Sequence, residues 1–202
     1  MRTIGALVFP EFEVLDLYGP LEMFGMFEDE FEIRIVAETA APVRSAQGPR
    51  TMPDDILGAR DYDILIIPGG RGTRRDVENP AIISWLADAH ENAELTTSIC
   101  TGAALLAKAG ILDGRAATTN KLAFDWVTDF GPKTTWQRAA RWVEDGNVFT
   151  ASGVSAGTDM ALAALERLLG PKAPIRASFY AEYTANRDPT NDPFAAPEKK
   201  SK

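Results

Sequence analysis

Apolar runs of strand length recur along the chain, and after each the residues change to turn and helix signals. Residues 3–9 and 62–67 are such runs, 31–37 reads as a further strand, and another opens ELTTSICTGAALLAKAG, residues 94–110. Runs that are apolar throughout belong to strands covered on both faces, as in parallel sheets. Strands alternating with helices predict one α/β domain, doubly wound and flavodoxin-like, over residues 1–185. Its sheet is mostly parallel, with right-handed crossovers and helices on both faces. The ligand site of such a sheet lies off the carboxyl ends of its strands.

The helix signals follow the same rhythm. Gly19-Pro20 predicts a helix start, with Pro20 in the first helical position and Leu21, Met23 and Phe24 turned inward. Residues 42–55 are rich in Pro, Gly and small polar side chains and predict a loop or edge hairpin. Asn79-Pro80 caps a helix whose apolar face is Ile82, Ile83, Trp85, Leu86 and Ala89. Residues 115–119 predict a short strand and 121–130 a helix. Asp145-Gly146 predicts a hairpin joining 136–143 to 147–151. The 155–169 segment is a strong helix with Ala161, Leu162, Leu165, Leu168 and Leu169 inward, and 175–184 continues as a last helix. Residues 186–202, with Pro189, Pro193 and Pro197, predict a polar tail.

The run that opens residues 94–110 ends at Cys100, the only cysteine of the 202 residues, and passes through Thr101 and Gly102 into a small-residue helix. A lone cysteine beside an apolar strand is more often a small buried hydrophobe. This one stands at the junction itself, where a sharp strand-to-helix turn makes a nucleophile elbow. The free N–H groups of the helix start lower the pKa of a thiol so placed, from about 8.5 into a range of roughly 3.5–7.5.

Two further segments converge on the same sheet edge. Asp16 follows the first strand, and Gly69-Gly70 follow the third. A carboxyl beside a thiolate is raised by like charge and burial, stays protonated, and can shuttle a proton. Asp16 is therefore the candidate acid; Glu22, a first-turn glutamate, is the runner-up. The N–H of Gly70 and that of Thr101 could form an oxyanion hole, with Gly69 shaping the turn. His90, the single histidine, is expected at the exposed end of a helix, so a Cys–His dyad is not expected. No His/Cys cluster predicts a metal site, and the chemistry calls for no cofactor. Arg71, Arg74 and Arg75 read as a solvated loop; Trp85, Trp126, Trp136 and Trp142 read as core or interface residues.

A formal charge of −8 argues against nucleic acid as a partner. No apolar run is long enough to cross a bilayer, and the apolar part of the amino terminus is too short for a signal peptide. One cysteine cannot make an intrachain disulfide, which fits a reducing cytoplasm.

With Asp16 and Gly69-Gly70, the stretch SICTGAALLAKAGILDGRAATT resembles the ThiJ/PfpI superfamily, whose fold is similar to class I glutamine amidotransferases. FEVLDLYGPLE, the Cys-Thr-Gly elbow and SGVSAGTDMALAAL resemble its isocyanide (isonitrile) hydratases. The resemblance implies a lyase that adds water to an isocyanide to give an N-substituted formamide, with Cys100 as nucleophile, Asp16 as acid/base and Thr101 beside them. It also implies a homodimer acting on a small molecule. Many relatives have histidine where this chain has Thr101 or Asn120, which weakens the peptidase and glyoxalase readings and leaves hydratase chemistry, which does not call for histidine. Asn120 then joins Gly69 and Gly70 as a substrate-binding candidate. The alternatives are a glyoxalase or deglycase acting on α-oxoaldehydes, and a non-enzymatic redox sensor or ligand-binding protein built on Cys100. A regulator is not expected, because the tail is too short for a DNA-binding domain.

Overall fold

A computed structural model describes residues 1–195. In chain order the elements are β1 (Arg2–Leu7), α1 (Val14–Gly25), β2 (Phe31–Ala37), β3 (Val43–Arg44), β4 (Arg50–Thr51), β5 (Asp55–Ile56) and β6 (Ile64–Ile67). Then follow α2 (Thr73–Asp76), α3 (Pro80–Asn92), β7 (Leu95–Ile99), α4 (Gly102–Lys108), β8 (Ala116–Ala117), α5 (Phe124–Thr128) and β9 (Thr135–Trp136). The last are β10 (Trp142–Asp145), β11 (Val148–Ala151), α6 (Ala156–Leu169) and α7 (Lys172–Tyr180). Among the described residues a seven-stranded sheet runs β10-β11-β7-β6-β1-β2-β5. All its pairings are parallel except the β10–β11 hairpin at one edge. The fold is α/β, a mostly parallel sheet with helices packed around it.

The apolar runs explain the centre of the sheet. Ile64, Leu65, Ile66 and Ile67 are all fully buried, and Ile4, Ala6 and Leu7 of the neighbouring β1 with them. Each large aliphatic side chain so buried contributes about 1.5–3 kcal/mol. The helices form two packed groups, α1 with α6 and α7, and α4 with α2, α3 and α5. Asn79 caps α3 as expected, its side chain accepting from the Ala81 N–H at 3.0 Å.

Four expectations need correction. α1 starts at Val14, so Pro20 lies inside it and Asp16 is in its first turn. Glu13 supplies the start instead: its extended backbone N–H donates to Gly69 O at 2.9 Å, tying the helix entry to the β6 turn. The proline costs the helix only the bond to the Asp16 carbonyl. Residues 136–143 are not one strand, because Trp136 pairs with Ala117 in a separate two-stranded sheet and only 142–145 joins the main hairpin. Arg141 divides the two, turning inward to a fully buried Asp159. The helix expected over 121–130 shortens to α5, because Asn120 Oδ1 takes the Ala123 N–H and holds 120–123 as a turn. The segment read as a tail is docked as far as it is described. Arg141 N–H donates to Pro189 O at 2.8 Å and Asp192 N–H to Ala139 O at 2.7 Å. Residues 196–202 of that expected tail lie outside the described residues.

Candidate active site

Cys100 directly follows β7 and precedes α4 by one residue, in the left-handed region at φ 55°. A non-glycine residue held there costs about 1–3 kcal/mol, so its surroundings must hold it. They do so from both sides. Its N–H donates to Ser152 O at 3.0 Å and Ala151 O at 3.2 Å, while its C=O accepts the Thr119 hydroxyl at 2.7 Å. Gly102 then lets α4 come against the carbonyls of Ile67 and Pro68, where a Cβ would collide. The elbow is thus wedged between the ends of β6 and β11.

Asp16, Gly69, Gly70 and Thr101 meet at this elbow. Asp16 is fully buried, and its Oδ2 accepts the Gly69 N–H at 2.9 Å. Its Oδ1 has no hydrogen-bond partner among the described residues. A Cβ on Gly69 would stand 2.5 Å from Thr101 N and 3.0 Å from Asp16 Oδ2, so only glycine allows this approach. The Gly70 N–H is not free: it donates to Thr101 Oγ1 at 3.0 Å. Of the two amides expected to make an oxyanion hole, the Gly70 N–H is thus engaged elsewhere, and the Thr101 N–H is the one that acts to lower the thiol pKa. The Thr101 side chain is instead a hub, which also accepts the Thr73 hydroxyl at 3.0 Å.

The thiol and the acid perturb one another. Burial first, then the charge of Glu13, raise Asp16 well above the usual carboxylate range, against the pull of the Gly69 N–H and of Cys100. Burial first, then the Asp16 charge, also push the Cys100 thiol up; the Thr101 N–H and hydroxyl pull the other way and lose. The lowered thiol pKa read from the helix start is therefore corrected: desolvation outweighs two hydrogen bonds. Both directions describe a buried pair that resists carrying two negative charges.

Cys100 is only 7% exposed, yet it opens to a cleft of about 240 Å³ lined with Glu13, Gly70, Thr101, Asn120, Leu122 and Val154, among others. Arg71 and Arg74, read as a solvated loop, stand on its rim, with Arg74 4.6 Å over the Trp126 ring. Arg75 does not; it pairs with Asp76 and faces a larger cavity elsewhere, of about 730 Å³, that includes neither Cys100 nor Asp16. Glu22 is exposed on α1 and makes no contact with the site. His90 is half-buried rather than exposed, with Nδ1 2.8 Å from Thr96 Oγ1 near the opposite end of β7. Sequence reasoning missed Thr73, Thr119, Glu13 and Gly153. A Cβ on Gly153 would lie 3.4 Å from Cys100 Sγ and against the Asn120 amide. Its signal was available: Gly153 follows β11, the strand beside β7, at the same carboxyl edge.

A buried thiol on a strained strand-to-helix elbow, beside a buried carboxyl at the carboxyl edge of a mostly parallel sheet, places the chain among α/β proteins with an elbow cysteine. Within that class the chain belongs to the DJ-1/PfpI family, whose model matches residues 2–167. It is 31% identical over 181 residues to the isonitrile hydratase of Pseudomonas putida, covering 89% of this chain and 78% of that one. It is 30% identical over 144 residues to the glutathione-independent glyoxalase DJR-1.2 of Caenorhabditis elegans, covering 70% and 75%. A ThiJ/PfpI family protein from Pseudomonas syringae, 34% identical, superposes with a TM-score of 0.85 over 92% of this chain and 76% of its own. Among the described residues no helix is long and apolar enough to cross a membrane.

Proposed function

We propose that the protein is a cysteine-dependent hydratase that adds water to an isocyanide and releases the N-substituted formamide. The observation that carries this is the Cys100–Asp16 pair, a thiol whose only buried acid partner is a carboxyl with one unbonded oxygen. Cys100 enters the reaction as the thiol, with its proton. Cys100 Sγ forms a bond to the terminal isocyanide carbon, and the proton passes through Asp16 to that carbon, giving a thioimidate. Water then adds to the same carbon, Asp16 taking and returning its proton. The C–S bond breaks, the nitrogen is protonated, and formamide and thiol are restored. Asn120 and the Thr101 N–H line the path of the substrate. The hydratase relative supports the reading; so does the distance of His90 from the thiol.

Turnover of an aryl isocyanide, followed by formamide absorbance, tests it. Activity is expected and should vanish in Cys100→Ala; no turnover, or undiminished turnover in that variant, contradicts the reading. The identity to a glyoxalase favours a second reading, action on small α-oxoaldehydes, which methylglyoxal consumption would reveal. The non-enzymatic reading, a redox-sensing or ligand-binding protein, would show as selective oxidation of Cys100 by mild peroxide with no catalysis. We also propose a homodimer working in a reducing cytoplasm; a monomer at micromolar concentration in sizing experiments would contradict the first part.

A further inference from the structure

The cleft above the thiol is too small for a whole substrate of any bulk. It adjoins a second cavity of about 600 Å³, with which it shares Asn120, Leu122 and Val154 as a common wall. Gly153 also lines the second cavity, and its missing Cβ is what lets the Asn120 amide pack against it beside Cys100. The outer wall comes from Leu15, one residue before the acid, and from Pro193 and Phe194. Apolar side chains dominate this wall although they face water: Leu122 is 92% exposed, Phe194 69% and Leu15 46%. Three such side chains around one concave site, rather than scattered singly, mark a surface that something apolar covers.

Phe194 is delivered there by a built segment. Asp159, buried with Arg141, accepts both the Tyr183 hydroxyl at 2.9 Å and the Asn186 N–H at 3.0 Å. Farther along, Asp192 is 2% exposed and caps the Phe194 N–H through Oδ1 at 2.9 Å. Lys121, which also lines the cavity, sends its ammonium away: it donates to Ala140 O at 2.6 Å and Thr118 Oγ1 at 2.8 Å. Only its alkyl stem is left to face a ligand.

We infer that this second cavity takes the apolar substituent of the substrate, and that the docked segment 186–195, through Phe194, selects bulky aryl or branched-alkyl groups over small ones. The inference rests on Cys100 being the reacting atom, and it names a substrate class for that reaction. The small electrophilic head enters the 240 Å³ cleft while its substituent lies along Leu15, Leu122 and Phe194.

Two readouts test it. The first is the ratio of kcat/KM for phenyl over methyl isocyanide. The second needs no hydratase activity: the ratio of Cys100 alkylation rates for N-phenylmaleimide over N-ethylmaleimide, normalised to a free thiol. Wild type should favour the aryl member by about tenfold or more. Phe194→Ala should remove most of that preference in both readouts, and its exposed side chain makes misfolding an unlikely confounder that a circular dichroism spectrum checks. Aryl preference in alkylation without isocyanide turnover would keep the pocket and overturn the hydratase. Turnover with no aryl preference, or a preference untouched in Phe194→Ala, would overturn the pocket and keep the hydratase.

Discussion

Thr101 shows how closely the site is tied to its support. Its hydroxyl oxygen accepts from the Gly70 N–H and the Thr73 hydroxyl, both at 3.0 Å, while its own N–H acts to lower the thiol pKa. Thr101→Val keeps the shape but leaves the half-buried Gly70 N–H with no acceptor, a cost of about 1–3 kcal/mol, while the Thr73 hydroxyl keeps Gly70 O at 2.7 Å. Thermal or urea unfolding should show that loss, and Thr101→Ser should recover most of it. At this scale the sequence was informative about which residues meet, since Asp16, Gly69, Gly70 and Cys100 all follow strands at one sheet edge. It was silent on the bookkeeping of donors. Nothing in the letters told that the Gly70 amide was already engaged, nor that burial would outweigh helix-start amides at the thiol.

At the scale of elements, the buried Arg141–Asp159 pair joins three pieces: the start of β10, helix α6, and the segment after α7. Asp159 also holds Tyr183 and Asn186, so Asp159→Asn would strand a buried guanidinium and loosen the segment that carries Phe194. A loss of about 3–5 kcal/mol is expected in unfolding experiments. Faster amide exchange over residues 186–195 should accompany it; unchanged exchange there would mean the segment is held by something else. The same pair explains two misreadings. Residues 136–143 read as a strand flanking Asp145-Gly146 because the letters do not show that Arg141 finds a buried partner 18 residues on. Residues 186–195 read as a tail because Pro, Asn and Asp are loop formers whether or not Asp192 is buried. Pro20 misled in another way: it is permitted at a helix start, yet here the turn before it is already helical. Where period and turn chemistry agreed, as in α3 and α6, the elements lie where the sequence put them.

For the whole molecule, the buried acid makes stability depend on pH in a definite direction. Asp16 holds its proton more tightly when folded than when unfolded. Its contribution is therefore fully present below the unfolded carboxyl pKa of about 3.9 and is lost as pH rises through the folded value. Asp16→Asn removes this slope. Relative to wild type, the variant should gain stability as pH rises above about 4, the other groups cancelling in the difference. Cys100 acts in the same sense but later, because its unfolded pKa is near 8.5. A constant difference as pH rises would mean that Asp16 is not a strained acid in the fold. Catalysis should move oppositely to stability, falling about 10²–10⁴-fold without the proton carrier.

The most direct test of the Cys100–Asp16 pair is the pH dependence of Cys100 alkylation by iodoacetamide, in wild type and in Asp16→Asn. The account expects the wild-type thiol to titrate above the ordinary cysteine range, and the variant's midpoint to move down once the neighbouring charge is gone. Superimposable curves, or a midpoint that rises in Asp16→Asn, would contradict it.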